Sequence, residues 1–125
     1  MEKIFVIKGT NLTIHMPKEL DHHNAEEIKR EADRLLGTRN IRSIIFDFEK
    51  TSFMDSSGIG LAMGRYNKVK DLAGSIVIVP GSPYVSRVLG LSGLFGLIPK
   101  TSSKRSALEY IYEKGGKGNE TGKLV

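Results

Sequence analysis

The residues of this chain best suited to chemistry are an aspartate followed by two serines, Asp55, Ser56 and Ser57, in the segment FMDSSGIGLAMGRY (residues 53–66). Glycines follow the serines closely, and apolar residues lie on both sides. Such a segment could bind a phosphate through backbone N–H groups, present a serine nucleophile, or accept a phosphoryl group. These chemistries correspond to a nucleotide-binding protein, a hydrolase and a regulated phosphoprotein.

The glycines of this segment, Gly58, Gly60 and Gly64, fit a phosphate-binding turn poorly. Their spacing is one residue longer than the dinucleotide fingerprint, because Met63 occupies the position of the third glycine. No acidic residue ends the next apolar run to hold a ribose, and no Walker lysine pattern is present. We predict instead that Gly60 and Gly64, one turn apart, let a helix pack closely on a sheet.

A nucleophilic role for Ser57 is also disfavoured. A nucleophile elbow has glycine two residues before and two residues after its serine, and neither position is glycine here. The histidines that could act as bases are His15, in a predicted strand, and the adjacent pair His22 and His23, in a predicted loop. Adjacent side chains point in different directions, so this pair suits neither a base with its orienting partner nor a helical metal site. We predict no catalytic and no metal-binding residue.

Acceptance of a phosphoryl group agrees best with the position of the serines, between a predicted strand and a predicted helix. The first N–H groups of a helix lack intrahelical partners, and a phosphate on Ser57 would meet the positive end of the helix dipole. It would add a charge of about −1.5 to −2, beside Asp55 and near Asp21 of the preceding loop. The residues alone favour a simpler role, in which Asp55 or Ser56 caps the helix and contributes about 1 kcal/mol.

Apolar runs and helical spacing predict the elements that position this segment. We predict strands at Ile4–Ile7, Asn11–Met16, Ile41–Glu49 and Ser75–Pro80, and a last edge strand at Leu94–Pro99. Asn24 is predicted to cap the first helix, with Glu26 and Glu27 in its first turn and Gly37 at its end. Further helices are predicted from Ser57 to Gly74, over Ser82–Gly93 and over Ser102–Lys114. This order predicts an α/β domain with a mixed sheet of four to five strands and about four helices.

Composition limits the function further. The 125 residues include no cysteine, which excludes disulfides and thiolate zinc sites. The N-terminal segment does not have the pattern of a signal peptide, and no apolar run approaches the roughly 18 residues of a membrane span, so we expect a cytoplasmic protein. The net charge of +5 is scattered without interleaved aromatic residues. This pattern indicates a basic surface rather than a nucleic-acid site.

Three segments together resemble the STAS-domain anti-sigma factor antagonists: ELDHHNAEEIKREA, FMDSSGIGLAMGRY and GSPYVSRVLGLSGLFGLIPK. The similarity in order and spacing covers Phe5–Tyr112. The LDHH and FMDSSG segments are most similar to the sporulation members, the stage II antagonists of the anti-sigma F factor. The resemblance implies a single STAS domain at residues 1–112, and we expect the polar, glycine-rich residues 113–125 to be disordered. Lys18 departs from the family, which usually has glycine there.

The resemblance implies a non-enzymatic binding switch. The unphosphorylated protein would bind an anti-sigma factor, itself a GHKL-type serine kinase, and so release a sigma factor. The kinase would phosphorylate Ser57 with ATP, and a PP2C-type phosphatase would remove the phosphate. No cofactor, nucleic acid or membrane partner of its own is implied, and we expect a monomer. The resemblance assigns a partner-binding surface to Asp21, His22, His23, Asn24, Asp55, Ser56, Gly58 and Ile59.

Two alternatives remain from the sequence. A STAS module of another phospho-switch pathway, such as general stress signalling, would have the same segments. A small hydrolase or nucleotide-binding protein using Asp47, Asp55 and Ser57 is less favoured, because no paired base or metal cluster accompanies them. The choice of Ser57 over Ser56 rests on the resemblance and not on spacing.

Overall fold

The computed structural model describes residues 3–70 and 75–113. Within them the chain alternates strands and helices. In chain order the elements are β1 (Phe5–Lys8), β2 (Asn11–His15), β3 (Glu19–Leu20), α1 (His22–Thr38), β4 (Ser43–Asp47), β5 (Phe53–Met54), α2 (Ser56–Val69), β6 (Ser75–Val79), α3 (Pro83–Leu91), a 3-10 helix (Leu94–Gly96) and α4 (residues 104–113).

The main sheet has four strands in the order β1-β2-β4-β6. β1 and β2 form the predicted hairpin, and Gly9 in its turn has a φ of 60°, in the left-handed region. β2, β4 and β6 are parallel, with Phe46 in register with Ile14 on one side and with Ile78 on the other. The structure thus confirms the predicted mixed α/β sheet and its four main strands.

The two faces of the sheet are covered unequally. The larger core lies on the face covered by α1, α2 and α3, and it includes Phe46, Leu61 and Leu89. A smaller cluster on the opposite face joins Ile45 to Ala107 of α4. β4 is buried along its whole length, which agrees with its continuous apolar run. The site-bearing helix α2 therefore belongs to the larger layer.

The start and end of α1 differ from the prediction. The helix begins at His22, and its N-cap is Asp21 rather than Asn24, so Glu26 and Glu27 lie beyond the first turn. The segment predicted as a loop before it contains the short strand β3, and pairing of β3 with β5 fixes where the helix starts. α1 also continues through Gly37 to Thr38, because that glycine does not adopt the left-handed conformation that would end it.

The predicted edge strand at Leu94–Pro99 is wrong. Gly93 has a φ of 80° and turns the chain into the 3-10 helix, where Leu94 is fully buried, as is Ile98 just after it. The apolar run thus fills the core from a helical turn, and only Lys100 then forms an isolated bridge with Ile78. The predicted helix end at Gly74 and residues 114–125 of the predicted tail lie outside the described residues. In the part of the chain that the structure describes, no helix has the length and apolar character needed to cross a membrane.

Candidate functional site

The small sheet of β3 and β5 brings two helix N-termini together. The two strands are parallel, with Leu20 opposite Met54, so the next residue of each, Asp21 and Asp55, leaves the same end of the small sheet. Each aspartate caps the helix that follows it. Oδ1 of Asp21 accepts a hydrogen bond from the N–H of Asn24 at 2.9 Å, and Oδ1 of Asp55 accepts from the N–H of Ser57 at 2.8 Å.

Ser57 lies in the first turn of α2, beside the first turn of α1. Its Oγ is 3.3 Å from Nδ1 of His22, a contact between the two helices. Ser57 is partly exposed, and Ser56, at the first position of the helix, is exposed. The structure thus brings four of the predicted site residues, Asp21, His22, Asp55 and Ser57, to one place.

The two adjacent histidines diverge, as their positions in the sequence predict. His23 has 83% of its side chain exposed, and its Nε2 lies 3.4 Å from Oε1 of Glu27 along the same helix. Asn24 is held at the start of α1, where its Nδ2 donates a hydrogen bond to the carbonyl of Glu19 at 2.7 Å. Among His22, His23 and Asn24, it is therefore His22 whose side chain lies within hydrogen-bond distance of Oγ of Ser57.

Gly58, rather than Gly60 or Gly64, is the glycine that close packing requires. A Cβ atom added to Gly58 would lie 2.6 Å from Cε of Met54 and 2.8 Å from Cδ2 of Leu20. At Gly60 and Gly64 the added atom would meet nothing within 4 Å. The predicted packing role of Gly60 and Gly64 is therefore wrong, and the buried Gly58 is the glycine that packs against the small sheet.

Gly60 and Gly64 instead line an open groove between α1 and α2. Its volume is about 260 Å³, and it begins at Ser57 and His22. The charged residues Glu26, Lys29 and Arg65 line it further along. The absence of side chains at the two glycines opens this groove beside the serine.

Arg65 fixes α1 against α2 at the groove. Only 3% of its surface is exposed, its Nε lies 3.0 Å from Oδ1 of Asp33, and its Nη1 donates to the carbonyl of Leu61 at 3.1 Å. Lys68 contacts the same Asp33 oxygen at 3.0 Å. Burial lowers the pKa of the Arg65 guanidinium, while the carboxylates of Asp33 and Glu26 raise it. The pair holds Ser57 and His22 in a fixed relation, because each belongs to one of the clamped helices.

Two exposed aromatic residues near the serine were not among the predicted site residues. Phe53 of β5 has 46% of its surface exposed, and Tyr84 of α3 has 41%. The Tyr84 hydroxyl donates to the carbonyl of Met54 at 3.2 Å, directly before Asp55. Nothing local in the sequence distinguishes these aromatics from core residues. Ile59, which was predicted to face a partner, is only partly exposed and packs against the core.

The structure does not assemble the enzyme site considered as an alternative. Asp47 has the same side-chain parity in β4 as Ile45, whose side chain faces α4, whereas Ser57 belongs to α2 on the other face. Oδ2 of Asp47 instead lies 2.7 Å from Nδ1 of His15 and 4.0 Å from Nζ of Lys104 in α4. Among the described residues, no group of three or more potential ligands is arranged for a metal ion.

A family model, a relative by sequence and two solved structures were found to be similar to this chain. Residues 3–108 match the STAS domain model. The chain is 32% identical over 97 residues to an anti-sigma F factor antagonist of Paenibacillus polymyxa, covering 78% of this chain and 83% of that protein. It is similar to the solved unphosphorylated form of the anti-sigma factor antagonist SpoIIAA, with a TM-score of 0.77, 30% identity, and 87% and 96% of the two chains covered. Similarity extends to the phosphorylated form of the Bacillus cell fate determinant SpoIIAA, with a TM-score of 0.69, 30% identity, and 86% and 98% covered.

Proposed function

The chain belongs to the STAS-domain family of anti-sigma F factor antagonists, which are non-enzymatic regulators, and from this we propose that it is a partner switch of sporulation controlled by phosphorylation. In its unphosphorylated form it binds an anti-sigma factor and thereby releases a sigma factor. That partner is a GHKL-type serine kinase, which phosphorylates Ser57 with ATP, and a PP2C-type phosphatase reverses the step. The protein acts in the cytoplasm as a monomer and carries no cofactor of its own.

The observation that carries this proposal is the position of Ser57 at the start of α2. Its Oγ lies at a partly exposed edge, near the site where Asp21 and Asp55 cap two neighbouring helices. A kinase supplies the nucleotide, the magnesium and the transfer chemistry, so the substrate needs only an accessible hydroxyl on a rigid element. Phosphate would add about −1.5 to −2 charges beside two carboxylates.

The partner-binding surface that we propose keeps the predicted residues but gives them different roles. Asp21, His22, His23, Asp55 and Ser56 lie on the exposed side of the two helix starts, where a partner can contact them. Asn24, partly exposed like the two aspartates, anchors this surface through its hydrogen bond to β3, and Gly58 and Ile59 support it through the core. The exposed aromatics of β5 and α3, Phe53 and Tyr84, extend it, since aromatic residues are enriched at interfaces.

Phosphorylation would act mainly on binding. The α2 start tolerates negative charge because its dipole favours an anion there, so the fold need not change. A partner docked over Ser57 would have to desolvate the phosphate and face three negative groups instead of two. A penalty of about 3–4 kcal/mol would weaken binding by two to three orders of magnitude.

The test compares kinase binding by wild type, Ser57→Ala and Ser57→Asp, with Ser56→Ala and Ser56→Asp as matched controls. We expect Ser57→Asp to bind at least tenfold more weakly than Ser57→Ala, and the two Ser56 variants to differ much less. Mass spectrometry after reaction with ATP and the kinase should place the phosphate on Ser57. Equal binding by Ser57→Asp and Ser57→Ala, or phosphate on Ser56, would contradict the proposal.

A further inference from the structure

The contact between His22 and Ser57 has a consequence for the phosphorylated protein. Nδ1 of His22 lies 3.3 Å from the Ser57 oxygen that would carry the phosphate. Lys29, two turns further along α1, lines the same groove as both residues. The neighbouring His23 contacts Glu27 along its own helix instead. The groove therefore offers one imidazole and one ammonium group on the side of α1 that faces Ser57.

We propose that His22 and Lys29 form the cationic side of a site that holds the phosphate of phosphorylated Ser57 over the groove between α1 and α2. This inference rests on the proposed phosphorylation of that serine. In the unphosphorylated protein, Nδ1 of His22 lies within hydrogen-bond distance of the Ser57 hydroxyl, and the imidazole tautomer decides which of the two donates. A fully ionised phosphate only accepts hydrogen bonds, so Nδ1 would have to donate to it, which both the imidazolium form and the neutral tautomer with its proton on Nδ1 can do.

The groove has room for the phosphate because two of the α2 residues that line it are glycines and have no side chains. Gly60 and Gly64 line it, and an added Cβ at either position would meet nothing within 4 Å. A phosphate extends only a few ångströms beyond Oγ, so it can turn into this space. Lys29 lines the same space, and its flexible stem lets the ammonium group turn along the groove toward an anion.

The charged groups around this position explain why the two cations matter. Asp21 caps α1, Asp55 caps α2, and Glu26 lines the groove, so three carboxylates belong to the two helix starts and the groove that would hold the phosphate. The guanidinium of Arg65 also lines the groove but is buried and paired with Asp33. Lys29, and His22 in its protonated form, are thus the cationic groups of the described groove that remain to offset a phosphate dianion.

The experiment is a ³¹P NMR titration of protein with phosphoserine incorporated at position 57 during synthesis by genetic encoding. The second ionisation of phosphoserine has a midpoint near about pH 6. A nearby cation stabilises the dianion and lowers that midpoint. We compare the wild-type background with His22→Gln and Lys29→Gln, and with His23→Gln as the matched control. Each substitution removes one cationic or titratable side chain, and Gln keeps a polar group of similar length.

We expect the midpoint to rise by about 0.2–0.7 pH unit in His22→Gln and Lys29→Gln, which corresponds to the interaction energies of partly exposed ion pairs. In His23→Gln it should move by less than about 0.1 pH unit, because that side chain contacts Glu27. Urea denaturation of the same samples checks that each variant is folded. Equal midpoints in His22→Gln and His23→Gln would overturn the inference, whether both stay at the wild-type value or both rise.

The outcome is separable from that of the proposed function. Because the phosphoserine is incorporated without a kinase, the titration reports on the groove even when no kinase modifies Ser57. Conversely, the kinase could phosphorylate Ser57 while the ³¹P midpoint stays the same in His22→Gln and Lys29→Gln. That result would support the proposed function and refute the phosphate site.

Discussion

Replacing Gly58 with alanine tests how closely α2 approaches the small sheet beneath the serine. The added methyl group would lie 2.6 Å from Cε of Met54 and 2.8 Å from Cδ2 of Leu20. The terminal methyl of Met54 can swing aside at little cost. Leu20 is fully buried and belongs to β3, so moving it also disturbs the strand that orients the two helix starts.

The expected magnitude follows from two opposing terms. Overpacking a core by one methyl group costs typically about 1–3 kcal/mol. Alanine in a helix is favoured over glycine by up to about 1 kcal/mol, and less in the first turn. We therefore expect Gly58→Ala to lower the free energy of unfolding by about 1 kcal/mol. Gly60→Ala, where the methyl meets nothing within 4 Å, should raise it by about 0.5–1 kcal/mol.

Urea and thermal denaturation followed by circular dichroism measure both variants. For a domain of this size, 1 kcal/mol corresponds to roughly 4 °C in Tm, so the two variants should melt about 6–8 °C apart, with Gly58→Ala the lower. The comparison is informative because both substitutions add the same atom to the same helix. If Gly58→Ala were as stable as Gly60→Ala, the close approach of α2 to β3 and β5 would be refuted.

Two further substitutions test the groups that hold the site in place. Asp55→Ala should lower the free energy of unfolding by about 1 kcal/mol in urea denaturation, because the Ser57 N–H loses its acceptor at the start of α2; a change below about 0.3 kcal/mol would contradict the capping role. Arg65→Ala should lower the free energy of unfolding by about 2–3 kcal/mol in the same assay. This is less than the cost of breaking a fully buried ion pair, because Asp33 keeps Lys68 as a second partner. Lys68→Ala is the control and should cost under about 0.5 kcal/mol, since half of that side chain is exposed; equal costs would contradict the clamp.

The main sheet could be predicted from sequence because its strands carry long, unambiguous patterns. The apolar run containing Ser43–Asp47 is buried on both faces, as continuous hydrophobicity predicts for a central parallel strand. The helical spacing of Ala25, Ile28 and Ala32 likewise matches the buried face of α1. These elements satisfy local and global preferences at the same time, so single-sequence reasoning finds them.

The small sheet could not be predicted, because two-residue strands have no periodicity. Glu19–Leu20 and Phe53–Met54 become strands only by pairing with each other, a contact between distant parts of the chain. The same contact decides the start of α1. Asp21 and Asn24 are both good caps by residue type, and the pairing of β3 with β5 selects the former. The strand predicted at Leu94–Pro99 is wrong for a related reason. A short apolar run does not distinguish a strand from a buried helical turn.

For the candidate site, the sequence indicated a segment, residues 53–66, but not its internal contacts. The glycines were interpreted by their spacing, whereas the atoms opposite them decide which one is essential, and those atoms belong to β3 and β5. The resemblance identified the histidine pair only as part of a surface. One member, His22, reaches Ser57 because α1 and α2 lie side by side, and the ion pair of buried Arg65 with partly exposed Asp33 joins these helices.

These contacts give the proposed switch a rigid frame. Asp55 holds the N–H of Ser57, and the pair of Arg65 with Asp33 joins α2 to α1. At Gly58, α2 lies so close to β3 that an added Cβ would come within 2.8 Å of the Leu20 side chain. A phosphate on such a frame meets an open groove on one side and solvent on the other, so it can be accommodated without repacking the core. The frame therefore favours a mechanism in which the added charge alters what the surface can bind, rather than one in which the domain changes its fold.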